Sequence, residues 1–217
     1  MKLLLTSGGL NNTTIISALR ELVGRDFKEA KLAFIPTASN PVPGDKWWLI
    51  KDFDKCKELG FKEVDIVEIA AIPQDIWKPR LQNADVIMVG GGYTAYLMEQ
   101  MRKSGLQRLL PELLGSRVYV GVSSGSMVTA PKFRDKETNL LLEEPDTDDD
   151  TYEGLNLVGF LVAPHVNSPD SPRAKELMAQ LARNIGIPLY VIDDQTAVKV
   201  IGGKTEIVSE GKWEILD

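Results

Sequence analysis

Arg117-Val118-Tyr119-Val120-Gly121-Val122-Ser123-Ser124-Gly125 is a β-branched and aromatic run that ends in the pattern G-x-S-x-G. It predicts a strand over Val118–Val122 that turns sharply into a helix, a nucleophile elbow with Ser123 on the turn. The flanking glycines leave room for the tight turn and for close backbone approach. The Ser123 hydroxyl then stands at the edge of a sheet, above a helix N-terminus. Residues 126–130 read as the short helix that follows. The plainer reading is a turn with a serine cap, since Ser124 or Ser126 can cap the next helix. Placement favours the elbow, because the motif directly follows a strand-like run.

Outward from the elbow, strand-like and helix-like segments alternate. Strands are expected over 2–6, 31–36, 63–69, 85–89, 155–162, 189–192 and 197–201. Helices are expected over 12–22, 46–59, 76–82, 94–103, 106–114 and 174–184. The first shows apolar residues at Ile15, Ile16, Leu19 and Leu22, which is helical spacing; the second is closed by Gly60. Gly202-Gly203 and Glu210-Gly211 read as hairpin turns into strands 206–208 and 213–216. Such alternation implies an α/β fold of three layers. The sheet is mostly parallel, with helices on both faces and C-terminal antiparallel hairpins. No repeat or linker interrupts the chain, so one domain over 1–217 is expected.

Composition narrows the class. A chain of 217 residues can bury a full core. The net charge of −6, with no Lys/Arg cluster, argues against a nucleic-acid partner. No apolar run is long enough for a membrane span. The apolar start at Met1-Lys2-Leu3-Leu4-Leu5-Thr6 reads as a first strand and not a signal peptide, because Ser7-Gly8-Gly9 and a polar segment follow too soon. The single Cys56 allows no internal disulfide and fits a reducing cytoplasm. The single His165 excludes a multi-His metal site, and any imidazole chemistry must use it. The acidic segment 143–150 reads as a solvated loop. It lacks the glycine and ligand spacing of an EF-hand calcium loop; a lid over a site is the other reading.

In an open parallel sheet, ligands sit beyond the carboxyl ends of the strands. Four features are expected at such ends, on one sheet edge: Gly90-Gly91-Gly92, Ser123, His165 and Asp193-Asp194. A serine hydroxyl is a weak nucleophile until a base takes its proton. His165 is the candidate base. An acid must hold the imidazole in one tautomer and stabilise its charged form, and Asp194 or Asp193 can do so. The oxyanion of a tetrahedral intermediate needs preorganised donors. The amides of Ser124 and Gly91 are the candidates. Each piece has a plainer reading: His165 as a structural residue, and Asp193-Asp194 as a turn pair. Gly90-Gly91-Gly92-Tyr93-Thr94-Ala95 also fits a loose dinucleotide pattern, but on the fourth strand and without the acid that would hold a ribose. The order Ser, His, Asp differs from the Ser, acid, His of α/β-hydrolases.

Phe34-Ile35-Pro36-Thr37-Ala38, Val89-Gly90-Gly91-Gly92, Gly121-Val122-Ser123-Ser124-Gly125-Ser126 and Ala163-Pro164-His165 together resemble the peptidase E family of serine peptidases. The resemblance runs through most of the chain and implies a class I glutamine amidotransferase-like fold. It also implies a Ser-His-acid triad and hydrolysis of short peptides; the best-known members cleave dipeptides after an N-terminal aspartate. The chain departs from the family pattern in places. Ser-Ser-Gly-Ser stands for Ser-Ala-Gly-Ala, Asp194 for the Glu of peptidase E, and Tyr93 for an Asn after the three glycines. Arg173 is the remaining partner for a substrate carboxylate, with Gly92 and Tyr93 lining the same subsite. Cyanophycinases are similar at the elbow. Glutamine amidotransferases carry Cys there and x-Glu after their His, which Ser123 and His165-Val166-Asn167 do not match.

The sequence thus leads to a cytoplasmic serine peptidase, a dipeptidase or other exopeptidase that uses Ser123, His165 and Asp194, with Gly91 and Ser124 as oxyanion donors. No metal or organic cofactor is required. Short peptides are the expected partners, with no nucleic acid and no membrane, and a homodimer is left open. The competing readings are a binding protein that kept the fold without catalysis, and a cyanophycinase-like hydrolase.

Overall fold

Leu3 and Leu5 are buried in one apolar cluster and Leu4 in another. Successive strand side chains point to opposite faces, so a strand buried on both faces reads as a continuous apolar run. The computed structural model describes residues 1–133, 153–166 and 175–217. Strands β1 (Lys2–Thr6), β2 (Lys31–Ile35), β3 (Glu63–Ile66), β4 (Val86–Val89) and β5 (Val118–Val122) alternate with helices. These are α1 (Thr13–Val23), α2 (Trp47–Glu58), α3 (Gln74–Asn83), α4 (Thr94–Ser104) and α5 (Leu106–Leu113). The Leu4 cluster holds Ile15 and Leu19 of α1 and Cys56 of α2; the Leu3 cluster holds residues of α3, α4 and α5. This is the three-layer arrangement expected of the alternating pattern.

A short helix α6 (Ser124–Met127) follows β5, and β6 (Leu161–Ala163), α7 (Lys175–Ile185), β7 (Leu189–Ile192), β8 (Thr196–Ile201), β9 (Lys204–Ser209) and β10 (Trp213–Leu216) complete the chain. The main sheet has seven strands in the order β3-β2-β4-β5-β1-β8-β9. The first five are parallel, and β8 and β9 add antiparallel pairs through the Gly202-Gly203 hairpin. Among the described residues, no helix is long and apolar enough to cross a membrane.

Four expectations change in detail. Strands β6 and β7 do not join the main sheet; with β10 they form a separate three-stranded sheet in the order β10-β7-β6. The turn at Glu210-Gly211 therefore carries β10 onto β7, not back onto β9. The expected strand over 155–162 shrinks to Leu161–Ala163. The amides of Leu155 and Leu157 instead donate to the carbonyls of Val128 and Thr129, and Asn156 has φ 52°. The helix expected over 126–130 starts earlier, at Ser124.

The parallel strands β2, β4, β5 and β1 end on one edge of the main sheet. Beyond them lie a 3-10 turn over Thr37–Ser39, Gly90-Gly91-Gly92, Ser123 and Ser7. His165 and Asp194 follow β6 and β7 of the small sheet. The site is thus assembled from two sheets, not from a single rim.

Candidate active site

Ser123 turns the chain from β5 into α6 with φ 50° and ψ −111°. That region belongs to the first central residue of a type II′ turn, where glycine dominates. The surrounding backbone holds it there. A Cβ on Gly125 would stand 2.1 Å from the Val89 carbonyl oxygen, and one on Gly121 would stand 2.6 Å from the Gly125 oxygen. Both glycines of G-x-S-x-G are therefore required by contact. The buried Tyr119 hydroxyl donates to the Gly125 carbonyl at 2.6 Å. Thr6, at the end of β1, binds the elbow three times. Its carbonyl accepts from the Ser123 amide at 3.0 Å and the Ser126 hydroxyl at 2.8 Å, and its own hydroxyl donates to the Gly121 carbonyl at 2.8 Å.

Ser123 Oγ lies 2.8 Å from His165 Nε2, and His165 Nδ1 lies 2.7 Å from Asp194 Oδ1. A carboxylate accepts only, so Nδ1 carries the proton and Nε2 presents its lone pair to the serine. The His165 and Asp194 side chains are 27% and 33% exposed, so substrate can reach the pair. His165 itself adopts φ 63°. Ser7, fully buried after β1, meets both partners. Its hydroxyl donates to Asp194 Oδ1 at 2.5 Å and accepts from the His165 amide at 2.8 Å. The Asn11 side-chain amide donates to the Asp194 carbonyl. Asp193 is turned away: it accepts from the Gln195 amide, the Thr196 hydroxyl and the Lys212 amide. Asp193 is a turn residue, and Asp194 is the acid that meets the imidazole.

The Gly90-Gly91-Gly92 turn flanks the serine. A Cβ built on Gly91 would stand 3.2 Å from Ser123 Cβ and 3.8 Å from Ser123 Oγ, so the Gly91 backbone faces the hydroxyl. Among the described residues, no carbonyl accepts from the Gly91 or Ser124 amide. Two amides next to the nucleophile are therefore left without a backbone acceptor. Gly92 has φ +136°, and a Cβ there would stand 2.1 Å from the Ala38 carbonyl oxygen. That same oxygen accepts from the Tyr93 amide at 2.9 Å, so the Thr37–Ser39 turn backs the glycines. Glu68 fixes this turn in its place, accepting from the Thr37 hydroxyl at 2.6 Å and the Asn40 side-chain amide at 2.9 Å. The Ser124 hydroxyl donates to the Gly92 carbonyl at 2.5 Å and ties the elbow to the glycine turn.

The sequence pattern of peptidase family S51 matches residues 3–208. The chain belongs to peptidase family S51. This S51 chain is a serine-type peptidase, a hydrolase. It is 26% identical over 186 residues to an uncharacterised peptidase of Listeria innocua, which covers 81% of this chain and 87% of that one. It is 26% identical to the peptidase E of Shewanella denitrificans, over 98% of this chain and 92% of the relative. Among solved structures, a protein assigned to peptidase E from Listeria monocytogenes superposes with a TM-score of 0.75 at 23% identity. That match covers 97% of this chain and 98% of the other. A peptidase from an acI-B1 Actinobacterium gives 0.74 at 19% identity, covering 99% and 90%. At these identities the two structures establish the fold.

Of the residues singled out in the S51 sequence, Ser123, His165, Asp194, Gly91, Ser124 and Gly92 come together. Tyr93 stands at the start of α4, half-buried, with its amide bound to Ala38. Arg173 and the acidic segment 143–150 lie outside the described residues. Cys56 is buried, and burial pushes its thiol up to about 12, with the Asp52 carboxylate adding to the effect. It is no competing nucleophile, since the thiolate is the reactive form. Sequence reading missed Thr6, Ser7 and Asn11. The signal was available: Ser7-Gly8-Gly9 follows the first strand as Ser123 follows the fifth.

Proposed function

We propose that this S51 peptidase hydrolyses short peptides through a Ser123–His165–Asp194 triad and an acyl-enzyme. The observation that carries the reading is the unbroken line from Ser123 Oγ to His165 Nε2 at 2.8 Å and from Nδ1 to Asp194 Oδ1 at 2.7 Å. Ser123 Oγ attacks the scissile carbonyl while His165 Nε2 takes its proton. The Gly91 and Ser124 amides receive the negative charge that forms on the carbonyl oxygen. His165 then gives its proton to the leaving amine, which departs and leaves the acyl group on Ser123. Water, deprotonated by the same nitrogen, attacks the ester and releases the acid product. Asp194 holds the imidazole in the Nδ1–H form throughout and balances its charge when both nitrogens are protonated.

Dipeptides are the substrates to test first, Asp-X peptides included, because the relatives named peptidase E share this chain's family. We further propose a cytoplasmic location, on the lone buried Cys56. We also propose one domain over the chain, on a family match that runs from residue 3 to 208. The test is turnover of a dipeptide panel beside a Ser123→Ala control, with labelling by a serine-directed phosphonate. Wild-type turnover and labelling that both vanish in Ser123→Ala bear the reading out. Turnover that survives in Ser123→Ala, or an inert Ser123 in folded wild-type protein, overturns it.

A further inference from the structure

The two halves of the site come from different sheets, and β1 ends between them. Thr6 binds the nucleophile half at three points. Ser7, the next residue, binds the base and the acid. Its amide donates to the Thr196 carbonyl at 3.5 Å, anchoring it toward β8. Its hydroxyl oxygen accepts from the His165 amide at 2.8 Å and lies 3.4 Å from His165 Nδ1. Its hydroxyl hydrogen goes to Asp194 Oδ1 at 2.5 Å, the same oxygen that accepts from Nδ1. A single buried hydroxyl thus fixes the backbone of the base and the carboxylate that orients it.

We propose that Ser7 is a positioning residue of the hydrolytic site. It sets the Asp194–His165 pair in the register in which Nε2 meets the Ser123 proton, and its O–H limits how strongly Asp194 draws on the imidazole. The proposal rests on the triad reading above. The direction follows from hydrogen-bond competition. Asp194 Oδ1 shares its electron density between two donors. Removing the Ser7 hydroxyl leaves more of it to Nδ1–H, which favours the imidazolium. The charged group in contact with the imidazole, among the described residues, is Asp194. Asp193 is occupied by Gln195, Thr196 and Lys212.

His165 is the only histidine of the chain, so a nitrogen-15 imidazole titration followed by NMR reads one residue. In Ser7→Ala the titration midpoint moves to higher pH than in the wild type. In the same variant kcat falls roughly tenfold to a hundredfold with KM nearly unchanged. Ser7→Cys, close in size and a weaker donor, falls between the two. A Ser7→Ala protein with wild-type midpoint and wild-type kcat overturns the proposal, whatever its melting temperature. So does a loss of kcat that Ser7→Cys does not soften, with the midpoint unmoved. Absence of Ser123-dependent turnover in wild type would sink the peptidase reading instead. The titration comparison would still decide whether Ser7 sets the imidazole.

Discussion

Ser123 pays for its position in backbone strain, and the comparison of two variants that lack its hydroxyl measures how much. At φ 50° and ψ −111° its Cβ is in a region that glycine enters freely and other residues do not. Such a residue costs about 1–3 kcal/mol, persisting because its surroundings dictate the conformation. Here Gly125 against Val89, Tyr119 on the Gly125 carbonyl and Thr6 on the Ser123 amide are those surroundings. Ser123→Ala and Ser123→Gly both lose the hydrogen bond to His165, so that loss cancels between them. Alanine keeps the strain. Glycine releases it and gives back about 0.4–1 kcal/mol through the greater freedom of its unfolded chain. Ser123→Gly is therefore expected to be more stable than Ser123→Ala by about 0.5–2 kcal/mol. For a chain of this size that is a gap of roughly 1–8 °C in Tm. Urea and thermal unfolding of the two variants, side by side, supply the number. If Ser123→Gly unfolds at or below the midpoint of Ser123→Ala, the elbow is not strained and the argument fails.

Two further outcomes test the support around the site. Gly92→Ala would place a Cβ 2.1 Å from the Ala38 oxygen and 2.3 Å from its carbonyl carbon, at φ +136°. The glycine turn must then shift away from Ser123, and kcat should drop by about 10²-fold or more, as when an oxyanion donor is lost. Steady-state kinetics with KM unaltered and kcat intact would count against that turn's role. The second concerns Asp52, 8% exposed on α2, whose carboxyl burial pushes up to about 7. The folded chain then keeps a proton that the unfolded chain releases above roughly pH 4. Stability is therefore lost as pH rises from about 4 to about 7, by up to roughly 4 kcal/mol. Asp52→Asn should flatten that decline in denaturant midpoints measured from pH 4 to 8, and parallel profiles would refute it.

The parallel sheet was legible because both its faces are buried: its central strands read as unbroken apolar runs, and their ends mark one edge. The elbow was legible because two glycines at fixed spacing are demanded by contacts with Val89 and Gly125 backbone. The second sheet was not. Strands β6 and β7 are three and four residues long, and nothing local in so short a run names its neighbour. Residues 155–160 show the same limit from the other side. Leu155 and Leu157 flank a polar residue as in an alternating strand, but their amides donate to the Val128 and Thr129 carbonyls just after α6. Cys56 sits in a helix of polar composition, yet it shares a buried face with Asp52 one turn earlier. Ser7 carried a signal in its place after the first strand, but its partners and those of Asn11, Asp194 and His165, lie more than 150 positions away, so the sequence did not name them.

Two of the departures from the peptidase E pattern, at Asp194 and in the elbow serines, meet hydrogen-bond partners in the structure. Asp194 is one methylene shorter than the Glu it replaces, which raises the question of reach. The Asp194 carboxylate nonetheless meets His165 Nδ1 at 2.7 Å. Asn11 binds the Asp194 carbonyl and Ser7 the carboxylate, so both ends of the residue are held. The two serines that stand where the resemblance gives alanine are not idle either. Ser124 bonds the Gly92 carbonyl and Ser126 the Thr6 carbonyl, one fastening the elbow to the glycine turn and the other to β1. Ser124, Ser126, Ser7 and Asn11 thus each add a hydrogen bond that holds either the elbow or Asp194 in place.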